Sequence, residues 1–252
     1  MYCVLAPFAF LLGLSVVEDT AAQDRRAEDR AQMIREIATM AHMTGAETGR
    51  KAFGERVMAA MTKVPRHRFV PPAQEADAYQ NRPLPIGGRQ TISQPYIVAL
   101  MTDLLEPKPG DTVLEVGTGS GYQAAVLAEL VTSVYTIEIV EPLGRRASET
   151  LQALGYRNVH TRIGDGYGGW PEHAPFDSII VTAAARDIPQ PLIDQLKPGG
   201  RLVIPVGESS EVQELVVIEK MQDGRISRRR TLPVRFVPLT RNTPSTPSTP
   251  TR

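Results

Sequence analysis

A glycine-rich turn constrains the fold of this chain more than any other feature of its sequence. The turn, Gly117-Thr118-Gly119-Ser120-Gly121, follows a short apolar run (residues 112–116) that predicts a strand and precedes a segment (residues 122–130) that predicts a helix. Glycines let the backbone turn sharply and approach a ligand without a Cβ in the way. The helix start behind them offers free N–H groups and a partial positive charge. Such a loop lies at the carboxyl end of its strand, where open α/β sheets bind ligands.

Strands and helices continue to alternate after this turn. Further strands are predicted at residues 133–137, 158–163, 178–181 and 201–206, with helices at 142–154 and 191–196. This alternation favours a parallel sheet covered on both faces. Two later apolar runs, residues 213–220 and 231–239, predict an antiparallel edge, with Arg228-Arg229-Arg230 in the turn between them. The predicted fold class is therefore α/β, with a mostly parallel, doubly wound, Rossmann-like sheet.

The glycine spacing and the neighbouring acids narrow the choice of ligand. A dinucleotide fingerprint of the form GxGxxG would need its third glycine at the position of Tyr122. Glu115 stands two positions before the first glycine, where its carboxylate would repel a pyrophosphate but suits a cationic ligand. Glu138 ends the second predicted strand, where it can accept hydrogen bonds from ribose hydroxyls. Asp165-Gly166 follows the third predicted strand, in position to meet an adenine edge.

Together these features predict a site for S-adenosylmethionine, an adenosine that carries a sulfonium cation and an amino-acid tail. The alternative is that they are glycine-rich turns with capping acids. If the cofactor binds, we expect it to contact Glu115, Gly117, Thr118, Gly119, Ser120, Gly121, Glu138, Asp165 and Gly166.

Residues 24–95, before the predicted sheet, do not show the alternation of strands and helices. Residues 24–64 show helical spacing of apolar residues, with a break at Thr44-Gly45. Residues 65–95 are rich in Pro, Gly, Arg and Gln and show neither a helical nor a strand period. A stretch of this kind is often a functional lid or binding loop, and the alternative is a simple linker.

Four regions are predicted from these patterns: a signal-like or extension segment (1–23), a helical cap with a substrate-binding loop (24–95), a methyltransferase-type cofactor domain (96–241) and a disordered tail (242–252). The first contains an apolar run typical of a signal peptide, although no Lys or Arg precedes it. The tail repeats Thr-Pro-Ser and has no apolar area to bury.

Composition excludes some classes of function. Lys and Arg total 28 and Asp and Glu total 28, so the chain lacks the overall positive field typical of non-specific nucleic-acid binding. Cys3 is the single cysteine, which rules out an intramolecular disulfide. The four histidines show no ligand spacing, so no metal site is expected.

Four motifs carry a resemblance to a known family: residues 64–71 (VPRHRFVP), 90–96 (QTISQPY), 114–122 (LEVGTGSGY) and 234–239 (VRFVPL). From about residue 35 to residue 239 the chain resembles protein-L-isoaspartate O-methyltransferase. Many methyltransferases share the glycine loop, whereas the Thr-Ile-Ser-Gln-Pro stretch is far more specific.

The resemblance implies methyl transfer from S-adenosylmethionine to the carboxylate of L-isoaspartate in damaged proteins and peptides, whose ester then closes to a succinimide. By the same resemblance Ser93 is the active-site serine, and we expect it to position the substrate rather than act as a nucleophile, because no GxSxG elbow surrounds it. A carboxylate is already ionised at neutral pH and needs no strong base. Thr91 and Ile92 flank Ser93 in the expected substrate site, with Gln94, Val206 and Gly207 as candidates for peptide backbone contacts. The alternative for Ser93 is a turn-capping role.

Two other functions remain open from the sequence: a methyltransferase acting on a small molecule or nucleic acid, and a non-catalytic S-adenosylmethionine-binding module. We expect a monomer without stable membrane association. Because the methyl donor is made in the cytosol, we expect a cytoplasmic protein, with a periplasmic or exported one as the alternative that the apolar start suggests.

Overall fold

A computed structural model describes residues 11–208 and 211–241. The strands are β1 (Leu84–Gly87), β2 (Gln90–Ile92), β3 (Thr112–Val116), β4 (Ser133–Glu138), β5 (Val159–Ile163), β6 (Phe176–Val181), β7 (Leu196–Val206), β8 (Gln213–Lys220) and β9 (Ile226–Val234). The α-helices are α1 (Leu11–Met43), α2 (Gly45–Thr48), α3 (Glu55–Lys63), α4 (Pro95–Leu105), α5 (Tyr122–Ala128), α6 (Glu141–Ala153) and α7 (Gln190–Asp194).

One seven-stranded sheet organises the molecule, in the order β5-β4-β3-β6-β7-β8-β9. Strands β3 to β7 pair in parallel, and β8 and β9 add an antiparallel edge. The chain runs outward from β3 to β5 and then returns to β6 on the other side of β3. The switch point therefore lies between β3 and β6, which is where open α/β sheets bind ligands. The predicted fold class is confirmed.

Apolar side chains pack on both faces of this sheet. Successive residues of β3 face opposite layers, so Val113 belongs to one core and Leu114 to the other. Leu100 of α4 packs in the first core and Leu192 of α7 in the second. A strand buried on both faces needs a continuous apolar run rather than an alternating one. Glu115 interrupts that run and is therefore an exception to explain.

The stretch predicted to lack regular structure, residues 65–95, is in part regular, and that prediction is wrong. It holds two 3₁₀ helices (Arg66–Phe69 and Pro72–Asp77) and an antiparallel hairpin of β1 and β2. The strands have four and three residues, too few for a visible period. Helix α4 was not predicted either, although Pro95 occupies its first turn, a position that proline favours.

The other differences lie near the antiparallel edge. Strand β7 begins at Leu196, five residues before the strand predicted at residues 201–206 and at the last residue of the helix predicted at 191–196. Strand β9 occupies residues Ile226–Val234 rather than 231–239, and it contains Arg228-Arg229-Arg230 as exposed residues of an edge strand. Charged residues on an edge strand discourage pairing with another chain. Because its first half is charged and exposed, strand β9 lacks an apolar pattern there, and the sequence did not predict its start.

Near the chain start, α1 ends at Met43 and α2 begins at Gly45, at the predicted break. None of the helices within the described ranges is long and apolar enough to cross a bilayer. Of the signal-like segment, residues 1–10 lie outside the described residues, as does the predicted disordered tail at 242–252.

Candidate active site

A cleft opens at the carboxyl ends of the central strands, beside the glycine loop. We call it the glycine-loop cleft. Its walls come mainly from four stretches, residues 90–93, 115–120, 137–140 and 237–240, together with Val98, Tyr122, Gln123, Gly166, Thr182 and Ala183. The space between these walls, including the open mouth of the cleft, is about 760 Å³.

The glycine loop requires glycine where the backbone is left-handed and crowded. Gly117 has φ +102°, and a Cβ there would lie 2.5 Å from Oγ1 of Thr182. The Thr182 hydroxyl donates to the carbonyl oxygen of Gly117, which ties the loop to the end of β6. Gly121 has φ +89° and is the N-cap residue of α5, but it packs on Leu151 and does not line the cleft. Its contribution is therefore to the turn that precedes the helix.

Glu115 is a buried carboxyl group with an incomplete set of partners. It is 0% exposed and lines the glycine-loop cleft. The Thr136 hydroxyl donates to its Oε2 at 2.6 Å, and Thr118 in turn bonds Thr136. Oε1 has no hydrogen-bond partner within the described part of the chain. Burial, with the nearby charge of Glu138, raises the pKa of Glu115 to about 8.

Glu138 ends β4 as predicted and holds the glycine loop. Its Oε2 accepts from the Gly119 amide at 2.7 Å, and its Oε1 accepts from the Val140 amide at 2.8 Å. Each oxygen keeps a free lone pair, so the carboxylate can still accept from a ligand hydroxyl. Two carboxyl groups, Glu115 and Glu138, thus face one cleft and favour a positively charged ligand.

Asp165 and Gly166 follow β5, but the structure gives them different positions. Gly166 lines the glycine-loop cleft, and a Cβ there would lie 2.4 Å from Cγ1 of Val116. The Asp165 carboxylate accepts from the Tyr167 amide at 2.9 Å and caps the short 3₁₀ helix Gly166–Gly168. Asp165 lies outside the walls of the glycine-loop cleft and lines a neighbouring one.

Thr91 and Ile92 belong to strand β2, and Ser93 lies between the β1–β2 hairpin and α4. In the hairpin, Thr91 pairs with Pro85, and Arg146 donates to the carbonyl of Ile86 at 2.6 Å. Gln94 is the N-cap residue of α4. The hairpin and the helix therefore hold Ser93 from both sides.

A second cleft lies on the other side of this segment. We call it the Tyr96 cleft. It is lined by Met40, Thr44, Pro83, Gln94, Tyr96, Ile97, residues 232–237, Thr91, Ser93 and Thr182. Thr91, Ser93, Thr182 and Val237 line both clefts, so they form the wall where the two meet. Ile92 lines only the glycine-loop cleft.

The segment after β9 supplies a wall that no site prediction included. Residues 235–237 line the Tyr96 cleft, and residues 237–240 line the glycine-loop cleft. Ala184, just after β6, pins this segment by donating to the Val237 carbonyl at 2.8 Å and accepting from the Leu239 amide at 2.7 Å. The VRFVPL motif (residues 234–239), one of the four that carry the family resemblance, is the sequence signal for this wall.

The two clefts differ in the charge of the residues that line them. Arg235 is exposed and is the one charged side chain that lines the Tyr96 cleft in the described part of the chain. The two carboxyl groups lie on the glycine-loop side.

Val206 and Gly207, predicted as peptide contacts, line neither cleft. Gly207 instead donates to the Ala185 carbonyl at 2.9 Å, which secures the end of β7.

The residues of the glycine-loop cleft fit S-adenosylmethionine. An unpartnered, buried carboxylate oxygen suits a cation, and a second carboxylate at the next strand end suits ribose hydroxyls. A pyrophosphate would instead face both acids. The cleft therefore favours an adenosine ligand with a positive charge over a dinucleotide.

Comparison with known proteins gives one consistent result. The sequence model of the family described as protein-L-isoaspartate(D-aspartate) O-methyltransferase matches residues 42–244. The chain is 61% identical over 236 residues to protein-L-isoaspartate O-methyltransferase 1 of Cupriavidus necator, covering 94% of this chain and 90% of that protein. It is 65% identical over 208 residues to protein-L-isoaspartate O-methyltransferase 2 of a Polaromonas species, covering 82% of this chain and 99% of that one.

Two solved structures are similar in fold. A protein-L-isoaspartate O-methyltransferase superposes with a TM-score of 0.72 at 27% identity, covering 84% of this chain and 66% of that chain. A protein from Plasmodium falciparum described as a putative member of the same family, in complex with S-adenosyl-L-homocysteine, gives a TM-score of 0.65 at 28% identity and covers 75% of this chain and 92% of that chain.

Proposed function

The chain belongs to the protein-L-isoaspartate(D-aspartate) O-methyltransferase family, and on that premise we propose that it methylates the free carboxylate of L-isoaspartyl residues in damaged proteins and peptides, with S-adenosylmethionine as donor. The methyl ester then closes to a succinimide, which can reopen to normal aspartate.

The observation that carries this proposal is the shared wall between the two clefts. Transfer of a methyl group needs a donor site and an acceptor site that meet at one point. The glycine-loop cleft and the Tyr96 cleft meet at Thr91, Ser93, Thr182 and Val237. Carboxyl groups on one side suit a cationic donor, and Arg235 on the other side suits an anionic acceptor.

On the donor side, the residues bind and orient. Glu138 provides negative charge, Glu115 provides a carboxyl group whose ionised form a bound cation favours, and Gly117 and Gly119 provide backbone without a Cβ in the way. When bound, S-adenosylmethionine supplies an activated methyl group on a sulfonium leaving group. Tyr122 and Val98 add apolar surface to this cleft, which limits the access of water to the reacting atoms.

On the acceptor side, the residues position a carboxylate that is already ionised. The hydroxyls of Ser93 and Thr91 can donate hydrogen bonds to one carboxylate oxygen and leave the other free to attack. No general base is needed, because the nucleophile carries no proton at neutral pH. Alignment across the shared wall is therefore the main contribution of the protein to the rate.

The proposal is tested by offering the purified chain an isoaspartyl peptide and its aspartyl twin with labelled S-adenosylmethionine. Label in the isoaspartyl peptide alone is expected. Equal labelling of both would reject the substrate, and labelling of RNA or a small metabolite instead would favour the other class of methyltransferase.

We further propose a monomer that acts in the cytoplasm. The supply of S-adenosylmethionine in the cytosol supports that location. N-terminal sequencing of the native protein tests it, since a mature chain beginning near Gln23 would indicate export.

A further inference from the structure

Arg66 is a buried cation that contacts residues 91–93, which we call the acceptor segment. Arg66 is 0% exposed, although arginine is rarely buried without a partner of opposite charge. In the described part of the chain it forms no ion pair, and burial lowers its pKa to about 10. Burying an uncompensated charge costs free energy, so its position calls for an explanation.

The contacts of Arg66 join the Ser93 main chain to the start of α5. Its Nε donates to the carbonyl of Ala78 at 2.8 Å, and its Nη2 donates to the carbonyl of Ser93 at 2.7 Å. Its guanidinium lies over the ring of Tyr122, 4.7 Å from the ring centre. Tyr122 is the first residue of α5, immediately after the glycine loop, and it lines the glycine-loop cleft.

We propose that Arg66 is a positioning residue, which fixes the main chain at Ser93 against the start of α5 and thereby aligns the acceptor segment with the glycine-loop cleft. The planar guanidinium donates in two directions while it stacks on a ring. A lysine ammonium has no flat face for stacking and lacks this fixed fork of donors. These three contacts offset part of the cost of burying the charge, although Nη1 has no hydrogen-bond partner in the described part of the chain.

The inference rests on the proposed function, because its readout is methyl transfer. The proposed function and the role of Arg66 can be refuted separately. A wild-type chain that does not methylate isoaspartyl peptide would refute the function. An active wild type with equally active Arg66 variants would refute only the role of Arg66.

The experiment compares Arg66→Gln and Arg66→Lys with the control Arg56→Gln. Arg56 also donates to two backbone carbonyls, those of Pro107 and Leu130, but it lines neither cleft. For each variant, kcat and KM are measured with an isoaspartyl peptide. The Kd for S-adenosylhomocysteine is measured by calorimetry, and the unfolding temperature is recorded.

Both Arg66 variants are expected to lose about 10- to 100-fold in kcat, because small misplacements of reacting groups have effects of this size. Their Kd for S-adenosylhomocysteine should stay close to the wild-type value, and the control should keep full kcat. A normal kcat in either folded variant overturns the proposal, and so does a parallel loss of cofactor binding. If Arg66→Gln does not fold, Arg66→Lys decides the matter. Failure of both to fold would also overturn it, since Arg66 would then be a requirement of the fold.

Discussion

The hydroxyl of Thr136 donates to Glu115 across the β3–β4 pair at 2.6 Å, and it satisfies only one of the two carboxyl oxygens. The other oxygen is buried without a partner in the described part of the chain. This half-satisfied acid lies in the cleft that we assign to a cationic cofactor, and its pKa of about 8 makes it sensitive to pH near neutrality.

Binding of S-adenosylmethionine should therefore depend on pH. Below a pH of about 8 the free protein holds Glu115 largely protonated, and a bound cation favours the ionised form, so binding releases a proton. Affinity is expected to rise as the pH increases toward about 8 and to level off above it. Calorimetry in two buffers of different ionisation enthalpy measures the proton release. Glu115→Gln should abolish the proton release and the rise in affinity with pH. A wild-type pH profile in that variant would contradict the assignment of both effects to Glu115.

Ser93→Ala should separate turnover from cofactor binding. Removing a hydrogen bond to a charged group costs about 1.5–3 kcal/mol, so kcat should fall by about 10- to 100-fold while the Kd for S-adenosylhomocysteine stays nearly constant. Ser227→Ala, at an exposed position on β9, is the matched control. Loss of cofactor binding in Ser93→Ala would show that this serine belongs to the cofactor site instead.

Arg235→Gln should weaken the capture of substrate without slowing the chemical step. An exposed charge contributes less than about 1 kcal/mol, so KM for an isoaspartyl peptide should rise about two- to fivefold and depend less on salt, with kcat unchanged. Arg228→Gln, on the exposed edge strand, removes the same charge outside both clefts. An equal change in KM for both variants would indicate only an effect of net charge.

Gly117→Ala should damage both stability and cofactor binding. The residue has φ +102°, and its new Cβ would lie 2.5 Å from the Thr182 oxygen. Urea unfolding is expected to show a loss of about 1–3 kcal/mol, the usual scale for a strained backbone position. Gly110→Ala is the control, because a Cβ there would meet nothing within 4 Å. Normal stability in Gly117→Ala would mean that the loop can relax.

The sequence predicted the parallel sheet and the position of the glycine loop because both depend on local patterns. The strand Thr112–Val116 and the start of α5 at Tyr122 coincide with their predicted positions. Glu138 was predicted from its place at a strand end, and the structure puts it in the cleft wall. Its ligand role, like those of the other site residues, stays a prediction.

Residues brought together by long-range packing were harder to predict. The cleft wall at residues 237–239 depends on a bridge between Pro238 and Ala184, which no local pattern shows. Gly207 seemed available for a peptide, but its amide donates to Ala185. The hairpin that carries Thr91 has strands too short to show an alternating pattern. Arg66 is buried, whereas its charge alone would predict an exposed side chain.

The pinning of residues 235–239 beside Ala184 also has a consequence for synthesis on the ribosome. This segment is translated after all seven strands of the main sheet, yet it walls both clefts. Until this segment is made, a nascent chain lacks part of the wall of each cleft.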